Sequence, residues 1–306
     1  MAKTKEYKMV LLSGSPRPNG NTFSLLSSIA EGVVSVGGEV KIIKLYDNMS
    51  YTGCLSCFAC KKGRYLETCE RVNDNWTPLL KEILTCNSLV IGSPVYMGHV
   101  SSGTWAFLER YLYTHVSYGD PYEPKPINTL FLYTMNRSLV DAHAGGYTIS
   151  FQRNKEFLRR IHVNSSYILV PSTAQWDYLT HPTTKFNPKE REEWRKNTLP
   201  VLRKLFFQIG KNMVSGRHYL NEASLKKMQS ILSANASNID SIYKQNPILH
   251  ISSDEDDVTN GGNATFSFAN IVRHYDFYPT QKDEPAIDNN KLGLYISSIN
   301  QNLIHH

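Results

Sequence analysis

No stretch of this chain is apolar for long enough to cross a bilayer, and Met1 to Lys8 is too short and too polar for a secretory leader. The expectation is a cytoplasmic protein with no membrane partner. Cysteine is scarce, with five in 306 residues, four of them crowded between Cys54 and Cys69. The spread of bridges that staples a small secreted fold is therefore missing. Arginine-rich runs, zinc-finger spacings and ribonucleoprotein motifs are absent too, which removes nucleic acid from the expected partners. Two phosphate signatures also fail. A nucleotide triphosphatase needs Gly-Lys-Ser/Thr, whereas Gly20 is followed by Asn21 and Thr22, and a dinucleotide fold needs a second glycine where Pro16 stands. The acidic run Asp254-Glu255-Asp256-Asp257 lacks the alternation and sixth-position glycine of a calcium loop and reads as a solvated loop.

What is present is ordinary in bulk, with 41% hydrophobic and 20% charged residues, enough to bury a core. The net charge of +6 is uneven: residues 216–306 carry 7 basic against 10 acidic side chains, leaving 26 against 17 on residues 1–215. A basic first part suits an anionic cofactor or substrate.

Strand and helix patterns alternate through that part. Apolar runs at Tyr7–Leu12, Glu39–Leu45, Ser88–Gly92, Ile127–Thr134 and Ser166–Val170 predict five strands. Helical spacing predicts helices from Phe23 to Val33, Trp76 to Cys86, Ser101 to Tyr113, Gly146 to His162 and Pro188 to Val214. Alternation of this kind argues for an α/β domain, a parallel sheet with helices on both faces, over residues 1–215. Residues 216–306 break the pattern and form an unassigned C-terminal extension, with one expected helix at Leu220–Ala234 and aromatic residues Phe266, Phe268, Tyr275, Phe277 and Tyr278 for a subdomain or an arm on a partner.

Ligands of such sheets bind outside the carboxyl ends of the strands, so the loops after the first, third and fourth strands are the expected site. The first, Ser13-Gly14-Ser15-Pro16-Arg17-Pro18-Asn19-Gly20-Asn21-Thr22, joins a strand to a helix start and offers amides and hydroxyls to an anion. With the other two signatures failing, a single terminal phosphate fits it best, and flavin mononucleotide supplies one.

That loop, Cys54-x-x-Cys57-x-x-Cys60 and Ser93-Pro94-Val95-Tyr96-Met97-Gly98-His99, in this order, resemble the NAD(P)H-dependent FMN reductase and iron-sulfur flavoprotein group of the flavodoxin-like superfamily, over about Lys8 to Val214. The resemblance implies a flavodoxin-like three-layer sandwich around a five-stranded parallel sheet. It also implies FMN held by Ser13, Ser15, Arg17, Asn19, Gly20, Asn21 and Thr22 at the phosphate, by Pro94, Val95, Tyr96, Met97 and Gly98 along the ring, and by Thr134, Met135 and Asn136 at its border. NAD(P)H as electron donor and a quinone, flavin, nitro or azo compound, or iron-sulfur partner as acceptor follow, as does a homodimer or homotetramer. The alternative is an electron carrier without NAD(P)H turnover. No protein side chain is expected to be catalytic, because the flavin carries the chemistry. His99 and His143 read as surface or packing residues. Cys86 reads as core.

Cys54, Cys57, Cys60 and Cys69 offer the four thiolates that a [4Fe-4S] cluster requires, with Lys61, Lys62, Arg64 and Arg71 to offset the charge. Zinc and an unmetallated loop folded over the flavin stay open beside the cluster.

Overall fold

The structure, a computed structural model, describes residues 7–47, 52–62, 68, 69, 74, 76–117, 123–174, 187–216 and 250–251. All of them belong to one of the chain's two compact units, residues 1–253. The expected helix at 220–234, the acidic run, the aromatic cluster, Arg64 and Arg71 lie outside the described residues.

Strands β1 (Lys8–Ser13), β2 (Glu39–Lys44), β3 (Ser88–Tyr96), β5 (Lys125–Thr134) and β6 (His162–Val170) pair in parallel in the order β2-β1-β3-β5-β6. This is the flavodoxin-like order, in which the chain reverses direction across the sheet between β1 and β3. Two short strands add antiparallel pairs: β4 (His99–Val100) folds back on the end of β3, and β7 (His250–Ile251) lies along β6.

Period-two alternation divides each strand between two cores. In β1, Met9 and Leu11 face α1 (Asn21–Val34) and α7 (Leu199–Val214), while Val10 and Leu12 join the opposite cluster of α2 (Trp76–Ile83), α3 (Ser102–His115) and α5 (Tyr147–Ile161). Leu25, Leu26, Ile29 and Val33 of α1 are fully buried, each contributing about 1.5–3 kcal/mol. A Cβ on Gly32 would lie 2.0 Å from the Phe207 carbonyl oxygen, so glycine lets α1 and α7 meet at backbone distance. The edge strand β2 is half exposed and guarded by charge, with Lys41 paired to Glu82.

Several boundaries differ from the sequence reading. β3 runs on through Tyr96, because Ser93 and Pro94 keep register with Tyr133 and Thr134. β6 starts at His162, not Ser166: its polar first half is stabilised by cross-strand polar contacts, Asn164 Nδ2 donating to Asn128 Oδ1 at 2.8 Å. The loop after β5 contains a short helix, α4 (Leu139–Ala144). The single long helix expected from Pro188 is three pieces: α6 (Pro188–Glu193), a π turn (Trp194–Thr198) and α7. Among the described residues no helix is long and apolar enough to cross a membrane.

Candidate cofactor cleft and cysteine pocket

Four loops meet at the carboxyl ends of β1, β3, β5 and β6. They enclose a cleft of about 470 Å³, open mouth included. Its position follows from close packing behind the first loop. A Cβ on Gly14 would fall 1.8 Å from Thr104 Oγ1, so only glycine lets the chain pass there, and the Gly14 amide donates to the Gly92 carbonyl at 2.7 Å. Buried hydroxyls complete the join. Ser101 Oγ donates to the Gly14 carbonyl at 2.6 Å and accepts from the Thr104 amide at 3.3 Å, while Ser93 Oγ accepts from the Ser101 amide at 3.0 Å. Loops one and three are thereby fixed to each other by groups fully withdrawn from water.

The first turn of α1 begins at Gly20 with no side-chain cap and no acidic residue, so its amides stay available to an anion. Ser15 Oγ accepts from the Arg17 amide at 3.2 Å, shaping the turn before it. Thr22 Oγ1 shares a 2.7 Å hydrogen bond with Thr134 Oγ1, and Asn21 Nδ2 donates to the Ala174 carbonyl at 2.7 Å. α1 is thus tied to the ends of both β5 and β6. Beyond Thr134, the Asn136 Oδ1 atom is buried in the wall without a hydrogen-bond partner among the described residues. A buried acceptor left this way costs about 1–3 kcal/mol, which a ligand N–H would relieve. Tyr96, half buried, has its phenol pushed up by burial, against the opposing effect of the nearby Arg17 cation; it is protonated and can donate a hydrogen bond.

Of the residues named from sequence, Ser15, Arg17, Gly20, Asn21, Thr22, Pro94, Val95, Tyr96, Thr134, Met135 and Asn136 line this cleft together. Ser13, Asn19, Met97 and Gly98 do not. Ser13 is buried at the end of β1, and Asn19 is exposed on its turn. Met97 is 95% exposed at the tip of the β3–β4 hairpin in a left-handed conformation, and Gly98 is buried against Tyr147. Three lining residues were not foreseen: Thr173 and Ala174 after β6, and Arg195 in the π turn. The rule that ligands gather at strand carboxyl ends points to the first two; nothing local in the sequence marks Arg195. His99 is exposed, with Nδ1 2.9 Å from Ser150 Oγ. The His143 side chain lies outside the described residues.

A second concavity, of about 370 Å³, is lined by Cys54, Cys57, Cys60 and Cys69 with Leu55, Phe58 and Tyr113. Ser56 and Phe58 both adopt positive φ within the run that carries Cys54, Cys57 and Cys60, and Cys69 borders the same space. Lys61 fastens it to the end of α3 by donating to the carbonyls of Thr114, at 3.0 Å, and Val116. Arg110, 1% exposed, reaches the same pocket, pairs with Asp74 and hydrogen-bonds Cys69. Burial pushes the Cys60 thiol up, opposed by Lys61. Among the described residues, no group of three or more His, Cys, Asp or Glu side chains is placed to hold a metal ion. The donor chemistry of the four thiols that line this pocket would suit an iron-sulfur cluster. Cys86 is buried, its thiol pushed up to about 12 by desolvation, as a core residue should be.

Comparison with known proteins supports the family resemblance over part of the chain. Residues 7–146 match the family model described as NADPH-dependent FMN reductase. An iron-sulfur flavoprotein of Methanocaldococcus jannaschii is 31% identical over 103 residues, 34% of this chain and 51% of that protein. An iron-sulfur flavoprotein of Archaeoglobus fulgidus is 36% identical over 103 residues, 34% of this chain and 48% of that protein. The chain thus spans about half the length of the curated relatives it matches. Among solved structures, an NAD(P)H:quinone oxidoreductase from Methanothermobacter marburgensis superposes with a TM-score of 0.52 at 13% identity, over 70% of this chain and 100% of that one. At that identity the likeness shows the flavodoxin-like fold. The resemblance to the FMN reductase and iron-sulfur flavoprotein group is borne out over residues 7–146.

Proposed function

We propose that this protein is an FMN-dependent NAD(P)H oxidoreductase, with the cleft as its FMN site. The observation that carries this reading is the cleft's two unlike ends. An uncapped helix start suits a phosphate, and the partnerless Asn136 Oδ1 suits an N–H of a flavin's pyrimidine edge. The match of residues 7–146 to FMN reductases supports it. Bound FMN would supply the chemistry, accepting hydride from a nicotinamide and passing electrons to an acceptor such as a quinone, flavin, nitro or azo compound. The chain's own residues bind and orient. Ser15, Gly20, Asn21 and Thr22 form the phosphate turn, Pro94, Val95 and Tyr96 form one wall, and Thr134, Met135 and Asn136 border the ring. The hydroxyl network behind Gly14 fixes these walls before a ligand arrives.

Further parts of the reading are a cytoplasmic location, an FMN-binding domain over residues 1–215 with residues 216–306 as an extension, and a homodimer or homotetramer. Exposed apolar side chains support the assembly: Met97 at the hairpin tip, Trp105 on α3, and Leu55 and Phe58 on the cysteine loop. Light scattering that returned a monomer would remove it.

A second reading, a flavodoxin-like or iron-sulfur flavoprotein electron carrier without NAD(P)H turnover, draws on the four cysteines around one pocket. About four irons and four sulfides per chain, with no pyridine-nucleotide oxidation, would carry it. The test of the first reading is uptake of FMN by purified protein, followed by oxidation of NADPH or NADH with a quinone acceptor. FMN uptake with turnover is the expected result. Bound FMN without turnover on either nucleotide would sink the enzyme reading.

A further inference from the structure

Residues 188–214 lie beyond the segment that matches FMN reductases, yet they form part of the cleft. Arg191 on α6 donates to the carbonyl of Ser172 and, at 3.2 Å, to that of Asn136, joining the loops after β5 and β6. Directly after it the helix widens into the π turn Trp194–Thr198. Such turns are rare and cluster at functional sites, because one extra residue re-aims the side chains around it. Trp194 and Thr198 are buried at its two ends, and Arg195 between them is exposed and stands in the cleft wall. Lys196, the next residue, is paired with Glu192 at 2.8 Å, whereas Arg195 has no ion pair among the described residues.

Its place follows from the contacts around it. Arg191, one turn earlier, touches the loop after β6, and that loop is bound at Ala174 to Asn21 in the first turn of α1. Arg195 lines the cleft together with Ala174 and with Gly20 and Asn21 at the start of α1. Arg17, the other cation of the cleft, stands beside Tyr96. Charge balance shows why a second cation matters. A phosphate monoester carries about −1.5 to −2 at neutral pH. A helix start offers only about half a positive charge.

Resting on the FMN reading above, we propose that Arg195 is a phosphate-binding residue, pairing with the monoester seated at the start of α1 and selecting FMN over riboflavin. Two ligands of this reaction can carry a phosphate monoester, FMN and NADPH, the latter at its 2′ position. Arg195 shares the cleft lining with Gly20 and Asn21 of the α1 start, which favours the flavin.

Fluorescence titration of flavin-free protein with FMN and with riboflavin tests this, using wild type, Arg195→Ala and Arg195→Lys. For Arg195→Ala, the FMN Kd should rise about tenfold, as for loss of one charge-assisted pair, with riboflavin unchanged. Arg195→Lys should fall between, and added salt should weaken FMN binding less in Arg195→Ala than in wild type. An unchanged FMN-to-riboflavin ratio would overturn the proposal, and so would an equal loss for both flavins, which marks a structural role. A change confined to the NADPH-to-NADH preference would also overturn it and move Arg195 to the nicotinamide nucleotide. If wild type bound no FMN, the reading beneath the proposal would fall with it.

Discussion

The candidate cofactor cleft draws its walls from four loops and the π turn, spread from Ser15 to Arg195, whereas the cysteine pocket takes three of its four thiols from the run Cys54 to Cys60. The cleft is held by many moderate hydrogen bonds between distant loops, Thr22 to Thr134, Asn21 to Ala174 and Ser101 to Gly14 among them. The pocket leans on one buried ion pair, Arg110 with Asp74, and on Lys61 at the end of α3. A distributed network loses little when one bond is cut. A single buried pair loses much, because the abandoned charge has no water to turn to. The comparison therefore predicts that the two sites fail differently.

The largest effect should come from Asp74→Ala, which strands the Arg110 guanidinium. We expect about 3–5 kcal/mol of lost stability in urea denaturation, and a loss below about 1 kcal/mol would show that the pair does not anchor the pocket. Next is Gly14→Ala, whose new methyl collides with Thr104; about 2 kcal/mol should be lost and partly recovered in Gly14→Ala/Thr104→Ala. If the second change recovers nothing, the contact with Thr104 does not explain the glycine. A smaller loss, about 1 kcal/mol in FMN binding, is expected for Thr22→Val, since one bond of the network goes while its shape stays. The smallest is Cys57→Ser: this exposed thiol should react first with a thiol reagent, and its loss should leave FMN binding unchanged, while Cys86 should react only on unfolding.

Acid should act on neither site first but on the core beneath them. His162 is buried, with Nε2 2.6 Å from the Tyr111 hydroxyl and Nδ1 against Thr129 Oγ1. Burial, helped by the neighbouring His115, pushes its pKa from 6.5 down to about 3. Between those values the unfolded chain binds a proton that the folded chain refuses, so stability falls as the pH drops through that window. Denaturation midpoints measured from pH 7 to pH 4 should slope less in His162→Gln than in wild type. Equal slopes would assign the acid sensitivity elsewhere.

The same contrast explains what the sequence shows and hides. Five apolar runs reveal five parallel strands because β1, β3 and β5 are covered on both faces, and Ser15, Thr22, Tyr96 and Asn136 are readable because their loops are compact motifs in strand-to-helix settings. β6 is misjudged at its start because His162, Asn164 and Ser165 are polar, and His162 and Asn164 rely on cross-strand partners that no local pattern displays. Met97 and Gly98 fit the loop pattern, but the hairpin turn carries them past the cleft. Arg195 is invisible for a related reason. It is one arginine among charged neighbours, and its place in the cleft wall depends on a π turn whose Trp194 is buried in the core on elements distant in sequence.

The most direct measurement is an anaerobic titration of the FMN-supplemented protein with NADPH and then NADH, followed by visible absorbance and by iron and sulfide analysis of the same sample. One FMN should be retained per chain, its visible band should bleach with a nicotinamide nucleotide, and the band should return when a quinone is added. A protein that takes up no FMN would contradict the FMN site, and one whose bound FMN stays oxidised with both nucleotides would contradict the reductase.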